Sequence, residues 1–295
     1  MTREVRDGLV RGAPIVALET TYVSHGFPHP VGVETARASE AAVREAGAIP
    51  ATIALIDGEI RVGLDAPALD RIASGDARKV SPRDLAATLA DGALGATTVA
   101  GTLAVAKLCG IRHAATGGIG GVHREAERSF DISADLSELA RAPVCLVSSG
   151  VKSILDVART LEVLETLGVP VVGYGTSSLP LFYCRESDFD VPARVDTPDQ
   201  AAAFCRIHWE LGRGGAVLIA HPPPESSALE SDEANELIAA ALAAAATKGV
   251  RGQAVTPFLL AHIHDAAGDR SQTVNRELIV ANAGVAGAIA AAASR

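Results

Sequence analysis

The chain has 295 residues, enough for one large α/β domain or two small ones. Hydrophobic residues make up 48% of the sequence and aromatic residues only 3%, so the core must consist of Ala, Val, Leu and Ile, as is typical where helices cover a parallel sheet. The net charge of −9 argues against a nucleic-acid-binding surface, which needs clustered Lys and Arg. A local basic pocket could still bind a small anion.

The cysteines, the first residues and the alanine-rich C-terminal segment indicate where in the cell the protein works. Cys109, Cys145, Cys184 and Cys205 are widely spaced and form no CxxC pair. Because the first residues also lack the pattern of a signal peptide, we expect reduced, mostly buried thiols in a cytoplasmic protein. No apolar run reaches the roughly 18 residues of a membrane span, since Asn282 and several glycines interrupt the alanine-rich C-terminal segment. We expect no membrane partner.

Short apolar runs alternate with helical patterns along the whole chain. Strands are predicted at 15–18, 50–56, 59–62, 111–116, 143–150, 169–174 and 215–220. Helices are predicted at 33–46, 69–73, 85–89, 103–109, 154–167, 198–211, 233–246, 255–264 and 273–294. The sequence shows neither a linker-like break nor an internal repeat. The alternation therefore predicts one α/β domain over residues 1–295.

Two charged residues stand where predicted strands end. Glu19 follows the first strand, and Lys152 follows the strand at 143–150. In open α/β folds, side chains at the carboxyl ends of strands line the ligand crevice. A lysine there can bind phosphate or act as a nucleophile. The alternatives are a solvated lysine in the first turn of a helix and a surface glutamate before a loop.

Three basic residues, Arg78, Lys79 and Arg83, lie close together in an otherwise acidic chain. They could face a phosphate group. They could also mark an ordinary helix start, with Ser81 as the N-cap and Pro82 at the first helical position. Both interpretations can hold together, because helix N-termini themselves attract anions.

A glycine cluster follows the strand at 111–116 and contains Gly117, Gly118, Gly120 and Gly121. Its spacing matches neither a Walker loop nor the GxGxxG dinucleotide motif. The chain also lacks the GxSxG and HExxH motifs. What remains is a backbone nest beside Thr116 and His123, suited to an anion or to a tight turn.

Asp131 and Asp135 are four positions apart and would lie on one face if the segment were helical. Two carboxylates at that distance repel each other and require a cation, a shared proton or solvent. Hard cations such as Mg²⁺ and Mn²⁺ take oxygen ligands and often keep several waters. A favourable interaction with a helix N-terminus is the alternative.

Several longer motifs resemble the pseudouridine-5′-phosphate glycosidase family, in the family's order and from about residue 15 to about residue 290. They are Leu18-Glu-Thr-Thr21, Ser24-His-Gly26, Lys79-Val-Ser81, Gly95-Ala-Thr-Thr-Val99, Ala115-Thr-Gly-Gly-Ile-Gly-Gly-Val-His123, Phe130-Asp-Ile-Ser-Ala-Asp-Leu136, Val151-Lys-Ser-Ile-Leu-Asp156, Val172-Gly-Tyr-Gly175 and Val255-Thr-Pro-Phe-Leu-Leu260. Segments 148–151 and 221–224 depart from the commoner family sequence, but neither departure removes a charged site residue.

The resemblance implies an α/β/α sandwich with a mostly parallel central sheet, assembled as a homotrimer. It also implies reversible, Mn²⁺-dependent cleavage of pseudouridine 5′-phosphate to uracil and ribose 5-phosphate. By the match, Lys152 is the covalent nucleophile, Glu19 the proton donor and Asp131 the metal ligand, largely through water. The substrate would contact Lys79, Val99, Thr116, His123, Ser133, Ala134, Asp135 and Asn275, with phosphate held by Lys79, Thr116 and Ser133.

The implied chemistry explains these residue types. The scissile bond joins two carbons, so the base needs a proton and the sugar needs an electron sink. A lysine that adds to the sugar carbon supplies that sink as an iminium ion after the ribose ring opens. Glu19 would move the protons, and Asp135 could assist. The alternatives are a Schiff-base lyase or aldolase acting on another sugar phosphate, and a non-catalytic sugar-phosphate-binding protein.

Overall fold

The structure is a computed structural model that describes residues 1–74, 76–250 and 255–295, without the side chains of Thr256 and Pro257. Within these residues the strands are β1 (Ile15–Leu18), β2 (Ile49–Ile56), β3 (Glu59–Val62), β4 (Arg78–Val80), β5 (Gly95–Thr97), β6 (His113–Ala115), β7 (Cys145–Ser148), β8 (Val171–Tyr174), β9 (Ala193–Val195) and β10 (Val217–Ala220).

The helices divide into those before and those after the glycine cluster. The first group is α1 (Arg3–Val10), α2 (Val31–Glu45), α3 (Ala66–Ala73), α4 (Leu85–Ala90) and α5 (Val99–Cys109). The second group is α6 (Ala126–Ser129), α7 (Ala134–Leu139), α8 (Val157–Thr166), α9 (Pro198–Glu210), α10 (Ser231–Thr247), α11 (Val255–Ala267) and α12 (Asp269–Ala293).

One sheet contains all of these strands, in the order β4-β5-β2-β1-β6-β7-β10-β8-β9, with β3 paired to β2 beside this path. The β2–β3 and β2–β5 pairs are antiparallel, whereas the other pairs are parallel. The prediction of an α/β fold with a mostly parallel sheet is confirmed. The register sets Leu18 against Ala115, and Ala220 against Ser148, so the carboxyl ends of the central strands lie at one edge.

Helices bury both faces of this sheet. Successive side chains of a strand point to opposite faces, and β1 shows the consequence. Val16 and Leu18 belong to a core cluster with residues of α2, α9 and α12. Ile15 and Ala17 belong to a second, larger cluster with residues of α5, α7 and α10. The chain therefore forms the three layers that the resemblance implies.

Local sequence accounts for many of the element boundaries. Asp57 (φ 54°) and Gly58 (φ 77°) form the tight turn between β2 and β3, which requires positive φ at both positions. The Thr98, Asp156 and Thr197 side chains accept hydrogen bonds from backbone N–H groups in the first turns of α5, α8 and α9.

The predictions missed the shortest elements. β4, β5 and β9 have three residues each, and their small or charged residues lack a hydrophobic run. Pairing to neighbouring strands stabilises them, and that pairing is invisible along the chain. α5 begins at Val99 rather than Leu103, and α1 was not predicted. The expected helices at 255–264 and 273–294 correspond to α11 and α12.

Packing explains the apolar composition of α12. By length and mean hydropathy (1.3), this helix could cross a membrane, so the prediction that no segment meets those criteria is wrong. However, α12 packs against α2, α9 and the central strands, and Leu278, Ala286 and Ile289 are fully buried there. The cysteine prediction fits the structure, since all four are unpaired and only Cys109 is partly exposed.

Candidate active site

A cavity of about 620 Å³ opens at the carboxyl edge of the sheet. This is the edge where ligands bind in open α/β folds, and the volume suits a small-molecule ligand. All of the residues named by the sequence line it: Glu19, Lys79, Val99, Thr116, His123, Asp131, Ser133, Ala134, Asp135, Lys152 and Asn275. The fold therefore brings together side chains from six separate parts of the chain, while their individual roles stay predictions.

Glu19 follows β1 and is 7% exposed. The Thr116 hydroxyl, which follows the neighbouring strand β6, donates a hydrogen bond to its Oε1 atom. Burial raises the pKa of Glu19, while the Lys152 charge and the Thr116 hydrogen bond oppose that rise. The carboxyl group therefore holds its proton to higher pH than an exposed glutamate. That property suits a proton donor working near neutral pH.

Lys152 lies in an irregular segment between β7 and α8, so the alternative of a lysine in the first turn of a helix is wrong. Its backbone N–H donates to the Ile119 carbonyl oxygen at 3.1 Å, which fixes the segment against the glycine-rich loop. Lys79, on β4, faces the same cavity. Burial lowers the pKa of Lys79, and the Lys152 charge lowers it further, while Asp135 and Glu19 oppose that decrease.

Asp135 is held by backbone groups from the first turn of α5 and from the glycine-rich loop. Its Oδ1 accepts from the Ala100 N–H at 2.9 Å, and its Oδ2 accepts from the Gly120 N–H at 2.7 Å. A Cβ atom at Gly120 would lie 2.3 Å from Ser133 Oγ, so only glycine fits there. The Gly120 amide predicted to form part of an anion-binding nest therefore serves the protein's own carboxylate.

Asp131 and Asp135 are not on one helix, which corrects the prediction. Asp131 precedes α7 in a loop, while Asp135 lies inside α7. The Asp131 carbonyl oxygen accepts a hydrogen bond from the His123 N–H at 3.0 Å. Burial lowers the pKa of His123, and Asp131 opposes that decrease. In the part of the chain that the structure describes, no group of three acidic, His or Cys side chains converges to hold a metal ion.

The three basic residues near β4 separate in the structure. Strand alternation turns Arg78 away from Lys79, and Arg78 pairs with Asp91 at 2.6 Å on the exposed surface. Lys79 and Arg83 line the cavity. The predicted N-cap is confirmed, because Ser81 and Asp84 form a capping box at the turn before α4. The interpretation as a helix start is therefore confirmed, while a phosphate contact of Lys79 and Arg83 stays a prediction.

Sequence reasoning missed the apolar wall of the cavity and one polar network behind it. Leu155, Phe182 and Ile279 supply the apolar wall. Nothing in their local sequence distinguishes them from core residues. The network centres on Asn282, which interrupts an apolar helix; a polar residue in such a position was the available signal.

The fold and this cavity define an α/β enzyme with a buried glutamate and two lysines at the carboxyl edge of its sheet. Residues 4–292 match the model of the indigoidine synthase A-like proteins, and the chain belongs to that family. It is 50% identical to the pseudouridine-5′-phosphate glycosidase of Paracoccus denitrificans, over 99% of this chain and 97% of that one. It is also 50% identical to the enzyme of that name from Deinococcus radiodurans, over 99% and 94%. The predicted family resemblance is confirmed.

Two solved structures share the fold. The prealnumycin C-glycosynthase AlnA, in complex with ribulose 5-phosphate, superposes with a TM-score of 0.91 at 41% identity, covering 99% of this chain and 96% of that one. An indigoidine synthase A-like protein from Thermotoga maritima gives a TM-score of 0.89 at 34% identity, covering 97% and 94%.

Proposed function

We propose that this enzyme reversibly cleaves the carbon–carbon glycosidic bond of pseudouridine 5′-phosphate, giving uracil and ribose 5-phosphate. One observation carries the proposal: a buried, proton-retaining Glu19 and the two lysines Lys79 and Lys152 line one cavity at the carboxyl edge of the sheet. The names of the similar proteins support the substrate class, since they include glycosidases of this nucleotide and a C-glycosynthase in complex with a sugar phosphate.

The cavity offers separate groups for each part of the substrate. Lys79 is the cation proposed to hold the phosphate, assisted by the hydroxyls of Thr116 and Ser133. The remaining contacts would enclose the sugar and the base, and they come from Val99, His123, Ala134, Asp135 and Asn275. Both Asp135 oxygens already accept backbone hydrogen bonds. We therefore propose that Asp135 shapes the pocket more than it transfers protons.

Lys152 is the proposed nucleophile. The C1′–O4′ bond breaks with its electron pair going to O4′, which takes a proton, and the Lys152 amine adds to the electron-poor C1′. The new secondary amine then loses a proton, which restores the nitrogen lone pair. The C1′–C5 bond then breaks, its electron pair moves to uracil C5, and the nitrogen lone pair forms an iminium ion. C5 takes a proton, and water hydrolyses the iminium to release ribose 5-phosphate and the amine. The net reaction consumes one water.

Glu19 is the proposed proton donor for these steps. Because burial raises its pKa, it can deliver a proton to O4′ or to C5 and recover one later. Replacing Glu19 by Gln keeps the shape and a hydrogen-bond acceptor for Thr116 but removes the transferable proton. We expect turnover to fall roughly 10²-fold or more, with ribose 5-phosphate binding retained. Unchanged turnover would reject Glu19 as the acid.

We propose that Asp131 holds a divalent cation such as Mn²⁺. Its side chain lines the cavity, and the described residues supply no second and third carboxylate for a closed cage. A lone carboxylate fits a hard cation that keeps most of its water shell. When bound, the ion would add positive charge near the phosphate. Asp131→Ala should weaken the Mn²⁺ response of the enzyme; an unaltered response would place the metal elsewhere.

The decisive experiment measures uracil release from pseudouridine 5′-phosphate with Mn²⁺, beside an EDTA control and the Lys152→Ala variant. Borohydride should trap a ribose 5-phosphate adduct on Lys152, detectable by peptide mass spectrometry. Lys107→Ala, at an exposed lysine on α5, serves as the matched control and should retain both activities. An adduct on Lys79, or metal-dependent release that persists in Lys152→Ala, would contradict the assignment of the nucleophile.

A related reaction on another sugar phosphate is the second candidate. It is favoured by the likeness to a C-glycosynthase in complex with ribulose 5-phosphate, and it would use the same lysine. A panel of sugar phosphates and carbon acceptors separates the two candidates. A non-catalytic binding protein gives no reason for Glu19 and Lys152 to line one cavity.

The homotrimer and the cytoplasmic location remain part of the proposal, and light scattering tests the trimer.

A further inference from the structure

Behind the cavity, Asn282 forms a fully buried polar centre within the apolar helix α12. Its Nδ2 donates to the Thr116 carbonyl oxygen at 2.9 Å and to Ser149 Oγ at 3.1 Å. Its Oδ1 lies 2.9 Å from His221 Nδ1. Thr116, Ser149 and His221 follow three adjacent strands, β6, β7 and β10. One amide therefore joins the carboxyl ends of three strands.

The chemistry of the partners fixes the orientation of this network. A carbonyl oxygen only accepts hydrogen bonds, so the Asn282 NH₂ group must face Thr116 and its oxygen must face His221. His221 Nδ1 is therefore the donor. Burial lowers the pKa of His221, although the Asn282 contact opposes that decrease. The neutral Nδ1–H tautomer satisfies both conditions.

One end of the network is hydrogen-bonded to Glu19, and the other end lies three residues before Lys152 in the chain. The Thr116 hydroxyl donates to Glu19, so the Thr116 backbone that Asn282 holds also positions that hydroxyl. On the other side, the Ser149 N–H donates to the Gly117 carbonyl oxygen at 2.9 Å, just before the segment that carries Lys152. Asn282 thus joins the segment that contains Thr116, the hydrogen-bond partner of Glu19, to the segment that leads to Lys152.

We propose that Asn282, oriented by His221, is a positioning residue for the reaction. It holds the ends of β6 and β7 at a fixed separation, so that Glu19 and Lys152 keep their alignment on the substrate. This inference rests on the proposed function, because it takes these two groups as the acid and the nucleophile. A positioning role differs from that of a buried amide that contributes only to folding stability, because its loss lowers the rate of the reaction as well as the stability.

Kinetics of Asn282→Leu test the role, because leucine keeps the branched shape and the number of side-chain heavy atoms and removes every hydrogen bond of the side chain. We expect kcat for pseudouridine 5′-phosphate to fall roughly 10²-fold, the scale of a catalytic group misplaced by about 1 Å, while KM changes much less. His221→Phe, which keeps the ring against Tyr174, should lower kcat in the same direction by a smaller factor. Thr35→Val is the control, because it removes the hydrogen bond that the buried Thr35 donates within α2 and should leave kcat unchanged.

Two further readouts separate positioning from stability. The Thr116 hydrogen bond lowers the pKa of Glu19, so its displacement should move the alkaline limb of the kcat profile to higher pH in Asn282→Leu, as in Thr116→Val. The Asn282→Leu/Thr116→Val double variant should lose less activity than the product of the two single losses, because both changes act through one contact. Multiplicative losses with an unshifted profile would overturn the proposal.

The wild-type assay keeps this inference separate from the proposed function. Absence of uracil release from the wild-type enzyme would reject the function. The network is then judged by crystal structures of the variants. If Asn282 is a positioning residue, the hydrogen bond from the Thr116 hydroxyl to Glu19 is broken in the Asn282→Leu structure and kept in the Thr35→Val structure. An unmoved Thr116 in Asn282→Leu would overturn the inference.

Discussion

Replacing Asp135 by Asn changes one atom of the side chain and should strongly destabilise the protein. Each Asp135 carboxylate oxygen accepts one backbone hydrogen bond. Oδ1 accepts from the Ala100 N–H at 2.9 Å, and Oδ2 accepts from the Gly120 N–H at 2.7 Å. The side chain is 6% exposed, so water cannot replace a lost partner. In the variant, one backbone N–H must face the amide NH₂ group, donor against donor.

The magnitude follows from those two contacts. A hydrogen bond to a charged group contributes about 1.5–3 kcal/mol, and a buried donor left without a partner costs about 1–3 kcal/mol. Relief from burying a charge offsets part of this loss. We therefore expect the free energy of unfolding to fall by about 3 kcal/mol. Turnover should fall as well. Gly120 is next to Ile119, whose carbonyl oxygen accepts a hydrogen bond from the Lys152 N–H, so a displaced Gly120 would disturb the position of Lys152.

Urea-induced unfolding, followed by circular dichroism, measures this loss through the shift in midpoint at constant slope. Asp156→Asn is the matched control, because Asp156 accepts the Arg159 N–H as the N-cap of α8 and otherwise forms only an ion pair with the half-exposed Arg159 side chain at 3.5 Å, and asparagine is an equally good N-cap. Its expected cost is under about 1 kcal/mol. If the two variants lose equal stability, the backbone hydrogen bonds do not hold Asp135 as described.

Three further predictions concern other cavity residues. Because burial raises the pKa of Glu19 above its ordinary 4.5, the contribution of Glu19 to folding stability should decline as pH rises from 4.5 through the raised pKa of the folded state. Glu19→Gln should remove that decline in urea unfolding; a variant that declines as steeply as wild type would contradict the reasoning. Gly120→Ala should cost about 1–3 kcal/mol, because its Cβ would lie 2.3 Å from Ser133 Oγ. Gly214→Ala, where nothing lies within 4 Å, should be neutral, and equal thermal shifts in the two would exclude the clash. Lys79→Met should raise KM for pseudouridine 5′-phosphate much more than it lowers kcat, and an unchanged KM would remove Lys79 from phosphate binding.

Motifs that are contiguous in the chain were the most predictable part of the site. Glu19 directly follows the apolar run that forms β1, and three residues separate Lys152 from the end of the run that forms β7. A polar residue at the end of a buried strand needs no tertiary information to be recognised. The same local signals, together with the family motifs, indicated Asp131, Lys79 and the glycine cluster before any contact was known.

Secondary structure was predictable only where local signals were strong. Alternating apolar runs and helical patterns, with caps such as Thr197 before α9, located most of the longer elements. β4 and β5 escaped because three-residue strands obtain their stability from cross-strand pairing. Asp131 and Asp135 do not share one helix, although Asp135 lies in the first turn of α7, in line with the helix N-terminus alternative. Backbone donors from Ala100 and Gly120 hold Asp135, and no periodicity records them.

The sequence by itself determined the fold class, the family and the charged and polar residues predicted for the site, because hydrophobic periodicity and short motifs depend on residues that are close together in the chain. Only the tertiary structure decided which groups meet. Thr116 reaches Glu19 from another strand, and Asn282 joins Thr116, Ser149 and His221 across the core. Hydrogen bonds depend on distances of about 3 Å between atoms, and those distances arise only when separate strands and helices pack together.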